Sequence, residues 1–145
     1  MDNYLEESLG FILNRTNTKY KNALLQRYRA YDITPEQLSA LNCLWAQEGI
    51  TPKEVSKVIF KDKPNTNRIL EKLQAKGLVV REPHPADSRA FQLFLTARGW
   101  AIRDELIPIA RKLQREVTEG MEEYQLNELK RLLNLIHSNM EHLSP

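Results

Sequence analysis

Residues 63–77 read KPNTNRILEKLQAKG. At 3.6 residues per turn, Ile69, Leu70 and Leu73 gather on one face, and Thr66 points the same way. Asn65, Arg68 and Lys72 fall on another face, three and four residues apart, with Asn67 and Glu71 beside them. Pro64 suits the first turn, and Gly77 sits where helices commonly end in a left-handed residue. The spacing predicts a short helix with an apolar back and a front of amides and cations. Asn can pair with adenine N6/N7 and Arg with guanine O6/N7, so this front suits the major groove of DNA.

The flanking segments strengthen that reading. Thr34-Pro35-Glu36-Gln37 and Thr51-Pro52-Lys53-Glu54 are both capping-box signals, each with Pro just inside the helix start. The first opens a helix with an apolar stripe of Leu38, Leu41, Leu44 and Trp45, ending near Gly49. The second opens a short helix through Val55, Val58 and Ile59, and Phe60-Lys61-Asp62 turns into the helix above. Two short helices joined by a tight turn form a helix-turn-helix. Beyond Gly77, residues 78–82 and 91–95 are rich in β-formers, and the PHPADSRA between them supplies turn residues. A hairpin directly after a helix-turn-helix is a wing.

Charge is concentrated in the same place. Residues 51–90 hold nine Lys/Arg against five Asp/Glu and the rest twelve against fourteen, within a net charge of +2. A local basic excess is the footprint of a nucleic-acid face. Cys43 is the only cysteine, which excludes an internal disulfide and points to a reducing compartment. The acidic start MDNYLEESLGF lacks a signal-peptide pattern, and no ~20-residue apolar run spans a membrane. The expected location is the cytoplasm.

The chain ends read as helices. Leu5, Leu9, Ile12, Leu13, Tyr20, Leu24, Leu25 and Tyr28 recur at helical spacing and predict one long helix over 4–31. Thr96 can cap a helix running from Ala97 towards Gly120, bent or locally broken at Pro108. From about Gln125, Leu126, Leu129, Leu132, Leu133, Ile136, Met140 and Leu143 form a near-heptad stripe. These helices carry more apolar face than a ~60-residue lobe can cover, so a second copy is expected to pack against them.

The chain resembles the multiple-antibiotic-resistance regulator (MarR) family of winged-helix repressors. The matching residues are Ile33-Thr34-Pro35-Glu36-Gln37, Leu44-Trp45, Thr51-Pro52-Lys53-Glu54, Asp62 to Arg68, and Leu70-Glu71-Lys72-Leu73 leading to Lys76-Gly77-Leu78-Val79. Asp87-Ser88-Arg89-Ala90 and Leu95-Thr96-Ala97-Arg98-Gly99 complete the match, which covers nearly the whole chain. Thr66 stands where relatives often carry a larger apolar residue. Ser88 replaces a common second Arg, which thins the charge at the wing tip.

The resemblance implies a mainly α fold with a small β-wing. Residues 34–96 would form a winged helix-turn-helix DNA-binding lobe, and 1–31 and 97–145 dimerisation helices, within a single domain. It implies a homodimer on palindromic double-stranded DNA. Asn65, Asn67 and Arg68 are candidates for base edges, and Lys63, Lys72 and Lys53 for phosphates. Arg89 is the candidate for the minor groove, its guanidinium held by Asp87. A small aromatic effector would enter between dimer arm and lobe, near Tyr31, Trp45 and Trp100.

Two other readings remain. A winged helix can also bind protein, although amides and cations on α-helical positions 65, 67 and 68 are poor anchors for such an interface. Cys43 could sense oxidants, yet it lies off the apolar stripe with no neighbouring His or Arg to lower its pKa. An enzyme is not expected: His84, His137 and His142 lack metal-pair spacing, and no phosphate loop or nucleophile motif occurs. No cofactor is expected.

Overall fold

The computed structural model describes residues 3–143. Two compact units divide the chain, the first ending at Ala110 and the second starting at Arg111. The first unit begins with α1 (Tyr4–Glu7) and α2 (Leu9–Arg27). The long helix expected over 4–31 is therefore broken. Ser8 is extended, with φ −65 and ψ 146, and its hydroxyl accepts the Phe11 N–H at 3.3 Å, which starts a new helix. After α2 a single 3₁₀ turn, Arg29–Tyr31, leads to Asp32 in the left-handed region at φ 52.

Both capping boxes form. Thr34 and Gln37 exchange side-chain and backbone bonds at the start of α3 (Pro35–Ala46), as do Thr51 and Glu54 at the start of α4 (Pro52–Ile59). Each box satisfies two orphan N–H groups, the reason these short helices begin where they do. Phe60 ends α4 in a left-handed conformation at φ 56, and α5 (Lys63–Ala75) follows, capped by Asp62. Gly77, at φ +74, then turns the chain out of α5.

β1 (Val79–Pro83) and β2 (Phe91–Leu95) pair antiparallel, with Val79 opposite Leu95 and Arg81 opposite Leu93. Ile50 adds a single-residue bridge to Leu93, so the segment after α3 forms a one-residue edge to the wing instead of a plain loop. Leu41 and Leu44 of α3, Val55 of α4, Leu70 and Leu73 of α5 and Leu93 of β2 are wholly buried in one cluster. Each such side chain contributes ~1.5–3 kcal/mol relative to exposure. That cluster holds the back of α5 against α3, α4 and β2.

α6 (Ala97–Val117) starts against this lobe. Gly99 is obligatory there, because a Cβ would lie 2.2 Å from the Leu78 carbonyl oxygen. Thr96 fastens the junction twice, accepting the Gly99 N–H at 2.9 Å and donating to the Gly77 carbonyl at 2.6 Å. The expected break at Pro108 does not end the helix, which continues to Val117. Pro108 is exposed, so the missing backbone bond is lost on a solvated face.

The second unit comprises the end of α6, a turn and α7 (Glu123–Leu143). Gln125 accepts the Glu122 N–H at 2.8 Å, so α7 starts slightly before the expected Gln125. None of the residues of α7 is buried.

Candidate nucleic-acid interface

α5 stands between two clefts. The larger, about 410 Å³, lies towards the wing. It is lined by Lys53 at the start of α4, Lys63 and Asn67 of α5, Arg81 of β1, and Asp87 and Arg89 of the wing tip. The smaller, about 280 Å³, lies towards the start of α3 and is lined by Asn65, Arg68 and Lys72 with Lys61, Glu36 and Gln37. The eight residues singled out in the sequence thus separate, five on the wing side and three on the other. Asn65 and Asn67, two positions apart, face different clefts.

Asp62 sets the start of this helix. Its Oδ1 accepts the Asn65 backbone N–H at 2.8 Å, and its Oδ2 accepts from the Asn65 side-chain amide at 3.0 Å. At the other end Lys76 donates to the Asp32 carbonyl and, at 2.7 Å, to Gln37 Oε1. Lys76 also lies 3.8 Å from the Asp32 carboxylate. Both ends of α5 are therefore tied by charged groups that sequence reading passed over. The first follows the local pattern of helix capping; the second depends on a pairing 44 residues apart, which no local pattern reveals.

The wing tip is organised by His84. Its Nδ1 accepts the N–H groups of Ala86 and Asp87 at 3.0 and 3.2 Å, which fixes the tautomer with the proton on Nε2. Asp87 Oδ1 accepts the Arg89 backbone N–H at 2.9 Å. Among the described residues no bond joins Asp87 to the Arg89 guanidinium; the carboxylate serves the backbone of the same turn instead. Asp87 orients the wing by shaping the turn, and Arg89 remains exposed.

Arg81 was not a candidate, yet it lines the wing-side cleft. Its Nε and Nη2 atoms are enclosed without a hydrogen-bond partner. Its place in a β-strand otherwise read as wing framework hid it.

A separate cavity of about 420 Å³ is lined by Leu24, Tyr28, Leu38, Trp45, Arg103, Leu106 and neighbours. Of the three aromatics expected around an effector, only Trp45 lines it. Tyr31 packs against the core, and the Trp100 indole donates to Glu48 at 2.9 Å. The tyrosine that lines this cavity is Tyr28, whose hydroxyl donates to the Leu106 carbonyl at 3.4 Å. Burial, with Tyr20 nearby, pushes its hydroxyl up from the ordinary value. Burial likewise raises the Cys43 thiol, which keeps it in its unreactive form.

Known proteins place this arrangement. Residues 31–90 match the model of the MarR family. The multiple antibiotic resistance protein MarR of Escherichia coli is 32% identical over 130 residues, covering 88% of this chain and 90% of that one. The crystal structure of a cysteine-to-serine mutant of E. coli MarR complexed with operator DNA superposes with a TM-score of 0.79 at 30% identity. That match covers 94% of this chain and 99% of that one. The transcriptional repressor CouR bound to a 23-mer DNA duplex gives a TM-score of 0.76 at 28% identity, covering 93% and 96%. With its winged helix, its paired capping boxes and this degree of identity, the chain belongs to the MarR family of transcriptional regulators.

Proposed function

We propose that the protein is a cytoplasmic, homodimeric repressor that binds a palindromic operator in double-stranded DNA. The observation that carries this reading is the placement of the candidate residues on the two clefts beside α5. In this reading α5 enters the major groove, where Arg68, Asn65 and Asn67 meet base edges. Lys53, Lys63 and Lys72 meet phosphates, and Arg89 reaches the adjacent minor groove from a tip shaped by His84 and Asp87. The lobe of residues 34–96 reads DNA, while residues 1–31 and 97–145 join two copies. Exposed Leu5, Leu9, Leu132, Leu135 and Leu143 support that division, since so much apolar surface is costly in a lone chain.

The operator-bound E. coli relative supports a DNA partner for this chain as well. Release by a small aromatic ligand is favoured by the cavity beside Trp45 and Tyr28, whose wall is mostly apolar with Asn42 and Arg103 as polar contacts. Selection of bound duplexes from a random pool tests the reading. A palindrome is expected, with half-sites about 34–36 Å apart, one turn of DNA. Failure of the wild type to enrich any sequence, with only weak low-salt binding, would contradict it.

A further inference from the structure

We propose that Asp62 is a positioning residue for base choice: its carboxylate holds the Asn65 amide in the orientation that accepts adenine. The inference rests on the DNA reading above and adds to it a base and a residue.

Asp62 divides its two oxygens. Oδ1 caps the helix through the Asn65 backbone N–H at 2.8 Å, and Oδ2 receives the Asn65 side-chain amide at 3.0 Å. An ionised carboxylate only accepts, so only the amide nitrogen can face it. The carbonyl Oδ1 of Asn65 is thereby turned the other way. One N–H is committed to Asp62, and the second N–H and the carbonyl remain for a partner. A base edge that answers with one acceptor and one donor side by side is adenine, through N7 and the N6 amino group. Guanine offers two acceptors there, N7 and O6, and would set an oxygen against the Asn65 carbonyl.

Asn67 makes a useful contrast. Among the described residues no protein partner holds its amide, which can therefore present either edge. The two asparagines have the same chemistry, but only one is committed before DNA arrives. A committed group loses less freedom on binding and discriminates more sharply.

Selection from random duplexes with wild type, Asn65→Ala, Asp62→Ser and Asp62→Asn tests the proposal. Asp, Asn and Ser are near-equal helix caps, so both Asp62 variants keep the fold, and thermal melting verifies it. The wild type is expected to favour adenine at a position where Asn65→Ala does not. Asp62→Ser should lower that preference about fivefold or more, the scale of one well-made base contact. Asp62→Asn introduces an amide that donates to the Asn65 carbonyl, which turns the Asn65 amide over. That variant should move the same position from adenine towards guanine.

An adenine preference unchanged in both Asp62 variants would overturn the proposal. So would a change confined to positions that Asn65→Ala leaves alone, or a uniform loss at every position together with a lowered melting temperature. If the wild type selects a palindrome on which Asn65→Ala has no effect, the proposal fails and the DNA reading survives. If the wild type selects nothing, both fail.

Discussion

α5 and α7 are both amphipathic helices, yet they are finished differently. α5 buries Thr66, Leu70 and Leu73, and Asp62 and Lys76 tie its two ends. α7 is longer, at 21 residues, carries a leucine stripe and buries none of it. A helix whose back is covered by its own chain has a fixed front, which a reading head requires. A helix with an uncovered stripe is suited to a partner of the same kind. In the proposed reading, this difference separates a part that reads DNA from a part that assembles.

Substitution of the same residue type in the two helices sharpens that separation. The largest effect is expected from Leu132→Asp on α7, which should give a monomer in sedimentation. Its affinity for a two-half-site duplex should fall ~10²–10⁴-fold as the linked second contact is lost, while binding to a single half-site is kept. Leu70→Ala in α5 should cost ~2–5 kcal/mol of stability in urea unfolding, at every protein concentration alike. A cost of Leu70→Ala that varies with protein concentration, or a Leu132→Asp protein that still sediments as a dimer, would break the comparison.

Smaller effects fall on the wing and on phosphate contacts. His84→Ala removes the acceptor for two backbone N–H groups, worth about 1 kcal/mol each, and should loosen the tip and weaken binding to A·T-flanked sites severalfold. His84→Asn restores an acceptor and should recover most of that loss. Lys53→Ala should weaken binding alike for all sequences and reduce the salt slope by about one.

The winged lobe was legible from sequence because its signals are local. Capping boxes at Thr34 and Thr51, the turn residues of the wing and the spacing of Leu70 and Leu73 each act within a few residues. The core of the lobe follows from them. Features that join distant segments were not legible. Nothing near Lys76 announces Asp32 or Gln37, and the one-residue bridge of Ile50 to Leu93 is too short to leave a period. Ser8 breaks the first helix with one hydroxyl, against an apolar pattern that runs on through it.

Within the candidate site the limits were of a second kind. Helical spacing put Asn65 and Asn67 near one another, but the walls around α5 assign them to different clefts. A carboxylate two residues before Arg89 can bond either its guanidinium or its backbone, and turn geometry chose the backbone. Tyr31, Trp45 and Trp100 were equal as aromatics on helices. Only packing shows that Trp45 faces the cavity and that Tyr28 shares it.

In the proposed function α5 reads the major groove while Arg89 reads the minor groove beside it. A per-base affinity profile of a selected operator, with wild type, Arg68→Ala and Arg89→Ala in parallel, tests it most directly. Arg68→Ala should relax inner base positions by ~1–3 kcal/mol of discrimination, and Arg89→Ala should weaken only the preference for flanking A·T pairs. Profiles in which both variants relax the same positions, or in which neither changes any, would contradict the account.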